Sequence, residues 1–116
     1  MSSKNKSNKS FDQNKLKKLK DQEGVVGYIL RSQDSASIDL KDPSKVINYA
    51  VLSASAFETG ERFSNLFDLG GVDTVLLEGQ EIKVMTRVVN NSRLSVFVEN
   101  DVDCEKTCAD LISEGK

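Results

Sequence analysis

The chain of 116 residues (12.8 kDa) is long enough for one domain with a buried core and too short for two. Its composition, 29% charged and 38% hydrophobic with a net charge of −2, is ordinary for a soluble globular protein. The sequence has neither an apolar run long enough for a membrane span nor the apolar core of a secretory signal, so we expect a cytoplasmic protein in which Cys104 and Cys108 are free thiols.

The charge is distributed unevenly along the chain. Residues 1–20 carry seven lysines against one acidic residue (net +6), and residues 21–116 carry nine Lys or Arg against 17 acidic residues (net −8). We interpret residues 1–10 as a disordered basic tail and residues 11–116 as the domain. Such a tail either keeps the protein soluble or contacts nucleic acid or an anionic membrane. No aromatic residue lies among the lysines to stack on bases, so we expect no nucleic-acid partner and only indirect contact with membranes.

The first predicted elements are a short helix and a β-hairpin. Leu16 and Leu19 form a thin apolar stripe in a lysine-rich segment, so a helix over about residues 13–22 must dock on another element. Residues 24–30 form an apolar run rich in strand-forming residues, as in a strand that is covered on both faces. Residues 36–41 alternate between apolar and polar side chains, which predicts a strand with one wet face at an edge of the sheet.

A long central helix is predicted from Asp42 to Leu69. Asp42 is a suitable N-cap, Pro43 suits the first helical position, and Gly70 and Gly71 can end the helix in the left-handed conformation. Apolar and small residues recur at helical spacing along it. Small residues dominate the middle of this stripe, so a sheet or a second helix can approach the backbone closely; they are Ala50, Ser53, Ala54 and Gly60.

Three more strands and a short helix follow. The strands are predicted over residues 72–77, 82–89 and 93–99, with Gly79 at positive φ in the first turn between them. Asp103 can cap a last helix, whose apolar face consists of Cys104, Cys108, Leu111 and Ile112. The sequence therefore predicts an α+β fold, with a five-stranded antiparallel sheet, the long helix on one face and the N- and C-terminal helices on the other.

The sequence contains little that could support catalysis. It has no histidine and no phosphate-binding loop of the Gly-x-x-x-x-Gly-Lys-Ser/Thr type. The segment Gly24-Val-Val-Gly is too short for such a loop, and its glycines indicate close backbone packing in a strand. Cys104 and Cys108 lack a second thiol pair for a metal site, so we interpret them as core residues rather than redox groups. We expect no catalytic residue, no metal and no cofactor.

The order of elements, with several local signatures, resembles the roadblock / dynein light chain family of small-GTPase regulators across residues 12–114. The first hairpin turn departs from the family pattern, because Asp34-Ser35 stands where members often have Asp-Gly. The segments that carry the resemblance are Gly24–Leu30, Leu66–Gly70, Val72–Glu78, Ile82–Val89, Leu94–Glu99 and Asp101–Asp103.

This resemblance implies a non-catalytic dimeric platform, formed with itself or with a paralogous roadblock protein, that binds a Ras-like small GTPase and regulates or scaffolds it. The third strand would pair with its counterpart edge to edge while the long helices pack across the two-fold axis. The expected dimer interface consists of Ala50, Ala54, Phe57, Val72, Thr74, Val75, Leu76 and Leu77. The expected GTPase-facing residues on the exposed helix surface are Lys45, Tyr49 and Arg62, where Tyr49 is either an interface anchor or a core residue.

Two other functions fit the same pattern of elements. A longin- or profilin-like trafficking adaptor also surrounds a long helix with strands, although the helix before the first strand favours the roadblock pattern. A small-ligand sensor module is the second alternative, and a ligand-dependent shift in melting temperature would reveal it.

Overall fold

The computed structural model describes residues 13–89 and 91–109, which form one sheet and three α-helices. In chain order the elements are α1 (Gln13–Asp21), β1 (Val25–Arg31), β2 (Ala36–Leu40), α2 (Val46–Phe67), β3 (Thr74–Glu78), β4 (Ile82–Val89), β5 (Ser92–Glu99) and α3 (Cys104–Thr107). The strand order is β2-β1-β5-β4-β3 with every neighbouring pair antiparallel, so β2 and β3 are the two edges. This confirms the predicted α+β fold and the predicted edge position of the hairpin's second strand. The basic tail, Leu111 and Ile112 lie outside the described residues.

The first core layer lies between the sheet and the two short helices, on what we name the α1/α3 face. Leu16 and Leu19 are fully buried there, which explains how a lysine-rich helix with so thin a stripe is held in place. Cys104 and Cys108 are also buried in this layer, as predicted. The sheet contributes Val25, Tyr28, Met85, Leu94, Val96 and Val98 to it.

The second core layer lies under the long helix, on the α2 face. Alternate residues of the central strands point to this face, because successive side chains of a strand lie on opposite sides of the sheet. Phe97 and Ile29 are fully buried in it, and the ring of Tyr49 stacks on that of Phe97 with centroids 4.6 Å apart. Val46, Ala50 and Leu52 of α2 pack against the same cluster. Both faces of the central strands are therefore covered, which leaves the two edges as the open boundaries of the sheet.

Gly27 allows β1 and β2 to approach closely. A Cβ atom at this position would lie 2.5 Å from the carbonyl oxygen of Asp39 and 2.7 Å from the Cα atom of Leu40. Any larger residue would push the strands apart. The interpretation that the glycines of this segment serve backbone packing is confirmed at Gly27.

The ends of α2 differ in part from the prediction. Asp42 does cap the N-terminus, since its carboxylate accepts hydrogen bonds from the amide and the hydroxyl of Ser44, and these bonds lower the pKa of Asp42. The first turn, Pro43–Lys45, is a 3₁₀ turn rather than α-helix. At the other end Asp68, and not a glycine, takes the left-handed cap conformation (φ 57°), and its amide donates to the carbonyl of Ser64. An aspartate tolerates this conformation, so the helix ends before Gly70.

Gly79 was expected at positive φ, and the structure corrects this. It is not among the glycines with positive φ in the described residues. Its amide donates to the carbonyl of Ile82 at 2.9 Å, and an added Cβ would lie 2.9 Å from that same oxygen. Glycine is therefore required there by the closeness of the two strands rather than by its backbone angle.

Candidate interaction surface

The outer side of β3 carries backbone groups that no other described strand covers. The carbonyl of Asp73 accepts from the amide of Val88, and the amide of Gly79 donates to the carbonyl of Ile82. Hydrogen bonding alternates along an antiparallel strand, so the odd-numbered residues of β3 face β4. The amides and carbonyls of the even-numbered residues Thr74, Leu76 and Glu78 consequently point away from the sheet. An edge of this kind is a template for another strand.

The side chains of this edge are apolar on both faces of the sheet. Leu76 lies on the α1/α3 face opposite Met85 and is 45% exposed, whereas Leu77 lies on the α2 face opposite Val84 and is 43% exposed. Val75 is half-buried beneath α2. The exposed leucines are the feature that an edge strand of a monomer normally avoids.

The C-terminal half of α2 lies above this edge. A Cβ atom at Gly60 would lie 2.7 Å from the side chain of Val75, so the glycine lets the helix approach β3, as the predicted run of small residues suggested. Phe63 and Phe67 follow Gly60 by three and seven residues and therefore share its side of the helix. Their rings lie 6.3 Å apart, and the side chains are 55% and 69% exposed.

We name the exposed apolar side chains of β3 and of the part of α2 above it the edge patch. Large apolar groups that remain exposed together at an open strand edge are typical of protein–protein interfaces. The edge patch consists of Phe63, Phe67, Leu76 and Leu77.

The structure places the predicted dimer residues unevenly with respect to the edge patch. Val72, Thr74, Val75, Leu76 and Leu77 lie in β3 or just before it, at the open edge. Ala54 is half-buried on α2.

Two of the predicted dimer residues, Ala50 and Phe57, instead face the protein's own sheet. Ala50 packs on the second core layer, and its carbonyl accepts a hydrogen bond from Arg31. Phe57 is only 4% exposed, and the guanidinium of Arg93 lies 4.7 Å from the centre of its ring. Both residues therefore make contacts within the chain, and their place in a dimer interface stays a prediction.

The sequence interpretation missed Phe63 as an interface residue. It also gave Phe67 no role beyond the helical stripe. A signal was present, because Phe63, Leu66, Phe67 and Leu69 place four large apolar residues within seven positions, more than one helix face can bury. All four are exposed in the structure.

The three residues predicted to face a GTPase do not form one cluster. Lys45 and Arg62 are exposed, but 17 positions of helix place them about 25 Å apart along the axis. Tyr49 is half-buried and stacks on Phe97. Its ring packs against the second core layer, which favours the core role among the two predicted for it.

The two buried thiols are protonated at neutral pH. Burial raises the pKa of Cys104, and it raises the pKa of Cys108 to about 12, so neither is a thiolate at neutral pH. Within residues 13–89 and 91–109, no cluster of cysteine and acidic side chains is suited to holding a metal ion. Nor does any helix in this part of the chain combine the length and apolarity needed to cross a membrane.

The architecture is similar to that of solved structures, although no sequence match accompanies it. The chain matches no protein-family model, and no curated protein is recognisably similar to it in sequence. Among solved structures it is similar to a roadblock/LC7 domain from Streptomyces avermitilis, with a TM-score of 0.70 and 16% identity over 90% of this chain and 92% of that one.

Two further solved structures are similar. The gliding protein MglB from Thermus thermophilus gives a TM-score of 0.67 and 11% identity over 90% of this chain and 82% of its own. MglC from Myxococcus xanthus gives a TM-score of 0.52 and 19% identity over 89% of this chain and 92% of its own. The chain therefore has the roadblock/LC7 fold.

Proposed function

We propose that the protein is a non-catalytic platform that pairs with a second roadblock subunit through β3 and binds a Ras-like small GTPase. The observation that carries the proposal is the open outer side of β3 together with the exposed edge patch. Pairing of two such edges joins two five-stranded sheets into one and brings the C-terminal halves of two α2 helices together. Phe63 and Phe67 lie on this half of α2, so the pairing covers them.

A GTPase partner is supported by the roadblock/LC7 fold and by the resemblance to roadblock regulators. The paired α2 helices would offer a broad surface with Lys45 and Arg62 at separate positions along each helix. Because these two side chains are exposed and carry no ion pair within the described residues, their charges are available to an acidic partner surface. We place this assembly in the cytoplasm, with no contact to nucleic acid and only indirect contact with membranes.

Assembly is tested by size-exclusion chromatography with light scattering over a range of protein concentrations. We expect a dimer, either of the chain alone or after mixing with a paralogous roadblock protein. A chain that stays monomeric under all of these conditions would contradict the platform.

GTPase binding is tested by a pull-down with small GTPases loaded with GDP or with a non-hydrolysable GTP analogue. We expect capture that depends on the nucleotide, and a loss of about tenfold in affinity for Lys45→Glu and Arg62→Glu, since rim charges act mainly on association. Lys106→Glu, a matched charge reversal at an exposed residue of α3, should not change the affinity for the GTPase. Absence of binding in both nucleotide states would favour the adaptor alternative.

A further inference from the structure

We propose that the partner at β3 is a second copy of this chain, held in one register by a charge pair between Glu78 of each subunit and Arg87 of the other. The inference rests on the proposed pairing of β3, and it adds the identity of the partner and the alignment of the strands. It is carried by the hydrogen-bonding pattern of the edge and by unpartnered polar groups beside it.

The first constraint is the side of the sheet on which each residue lies. If α2 packs beside the α2 of the partner, both helices lie on the same face of the joined sheet. Residues that are directly opposite in an antiparallel pair share a face, so residues of β3 on the α1/α3 face must meet residues of the same set. That set consists of Thr74, Leu76 and Glu78, which are opposite Arg87, Met85 and Lys83 of β4.

The second constraint is the number of backbone hydrogen bonds. The same three residues carry the outward amides and carbonyls, so a bonded pair needs one of them on each strand. Placing the two-fold axis at Leu76 sets Leu76 opposite the partner's Leu76 and Thr74 opposite the partner's Glu78. All outward residues are then paired. A shift of two residues in either direction leaves one end of each strand without a partner inside β3.

The third constraint is a set of unpartnered polar groups at the end of this edge. Arg87 is half-buried, and its Nε atom is buried without a hydrogen-bond partner, as is the hydroxyl of Thr74 opposite it. Among the described residues no carboxylate lies within ion-pair distance of Arg87. Buried donors without partners are costly, and a half-buried cation favours a carboxylate neighbour.

The register with the axis at Leu76 supplies that carboxylate. On the α1/α3 face of the joined sheet, four residues then lie side by side on four neighbouring strands: Arg87, Thr74, the partner's Glu78 and the partner's Lys83. Strands are about 4.8 Å apart, so the backbones of Arg87 and the partner's Glu78 are about 10 Å apart, a gap that their two side chains can span over the short Thr74. The two-fold axis forms this pair twice.

The shifted registers lose the pair. A shift in one direction sets Glu78 opposite the partner's Val72, and a shift in the other sets it opposite the partner's Leu76. In both, Glu78 lies opposite an apolar residue of the partner, and Arg87 remains without a counter-ion. Backbone bonding and charge therefore favour the same register, and both require that the partner carry Thr74, Glu78 and Arg87 as this chain does.

The register is tested by disulfide trapping in the full chain. In the proposed register Leu76→Cys places two introduced thiols on residues about 5.5 Å apart between Cα atoms, within the span of a disulfide. Under mild oxidation we expect Leu76→Cys to cross-link with itself, while Val75→Cys and Leu77→Cys cross-link only when mixed together. Wild-type chain is the control, because Cys104 and Cys108 are buried. Self-cross-linking of Val75→Cys or Leu77→Cys in place of Leu76→Cys would overturn the register.

The charge pair is tested by a swap. Glu78→Lys and Arg87→Glu should each weaken self-association about tenfold or more, because each places like charges together. An equal mixture of the two variants should restore the wild-type affinity, since both copies of the pair then join opposite charges. Glu81→Lys in the adjacent exposed turn is the matched control and should leave the affinity unchanged.

The outcomes separate this inference from the proposed function. A wild-type chain that is always monomeric, or that dimerises only with a paralogue, contradicts pairing with itself. A wild-type dimer that is insensitive to Glu78→Lys, or that the mixture fails to restore, overturns the charge pair but leaves the platform intact. If Arg87→Glu does not fold, disulfide trapping decides the register on its own.

Discussion

The two edges of the sheet have the same unpaired backbone but different side chains. In β2, the amide of Lys41 donates to the carbonyl of Val26, so by alternation Ile38 points its backbone outward, as Leu76 does in β3. Beside Ile38, Asp39 pairs with Lys20 at 2.6 Å, and this hydrogen bond raises the pKa of Lys20. The β2 edge is thus bordered by charged and polar groups.

The β3 edge has no such border along most of its length. Its exposed side chains are leucines, two exposed phenylalanines lie above it, and its one acidic residue, Glu78, is at the end. An open strand is therefore not in itself an interface. The side chains around it decide whether another chain gains enough apolar contact to stay.

The largest expected effect comes from matched proline substitutions at the two edges. Leu76→Pro removes an outward amide, and a proline is tolerated there because β3 loses no bond to β4. Pairing about the two-fold axis loses two hydrogen bonds and the leucine contact, so self-association should weaken by about 2–3 kcal/mol, on the order of 100-fold in Kd. Ile38→Pro makes the equivalent change in β2 and should leave Kd unchanged. Light scattering over a dilution series gives both values.

The melting temperatures of the two proline variants, measured at a concentration where both are monomeric, should be similar. A dimer that survives Leu76→Pro but not Ile38→Pro would reverse the assignment of the edges.

The next effect concerns the helix above the β3 edge. The double variant Phe63→Ser with Phe67→Ser removes the aromatic part of the edge patch and should weaken self-association about 30-fold, since exposed aromatics that become buried act as anchors. Ile47→Ser changes a residue that is more exposed than either phenylalanine, at the other end of α2, and should have little effect. Sedimentation velocity on the three proteins measures the difference. Equal weakening by Ile47→Ser would mean that the whole helix, and not its C-terminal half, forms the interface.

Much of the fold could be predicted from the sequence because local signals and burial agreed. Alternation along residues 36–41 predicted an edge strand, and Asp42 with Pro43 predicted the start of the long helix. The end of that helix was misplaced because Asp68 takes a conformation for which two nearby glycines were the more obvious candidates. Several residues near this end could take the cap conformation. The amide of Gly71 donates a hydrogen bond to the buried hydroxyl of Ser64, and this bond selects one of these possible helix ends.

The candidate site was less predictable for a different reason. Helical periodicity shows that Phe57 and Phe63 are apolar, but it does not show which of them the sheet covers. Which of the two is covered depends on Arg93 of β5, which is 36 positions after Phe57 in the chain. Its guanidinium lies over the ring of Phe57. Tyr49 was ambiguous in the same way until the position of Phe97 was known. Residues whose role depends on a distant strand cannot be assigned from spacing alone.

The smallest expected effect is a pH dependence of the free energy of unfolding that arises in the core and not at the edges of the sheet. Burial raises the pKa of Cys108 from 9.0 to about 12 in the folded protein, so the unfolded chain loses this proton first. The thiol's contribution to stability is complete below pH 9 and is lost as pH rises towards 12. Between pH 8 and 10 the free energy of unfolding should fall by about 1.4 kcal/mol from this group alone. Tyr28 and Cys104, whose pKa values burial also raises, should add to the fall.

Urea unfolding in the Leu76→Pro background removes the contribution of assembly from this measurement. Cys108→Ala should be less stable at pH 8, because a buried sulfur is lost, but its stability should fall about 1.4 kcal/mol less by pH 10. Cys108 lies in the layer beneath α3, so its ionisation acts on the fold of each chain and not on the outward groups of β3. The Ile38→Pro background, which should still pair, should show the same thiol-dependent fall at a fixed protein concentration. A parallel fall in Cys108→Ala and its parent would assign the alkaline loss to other groups.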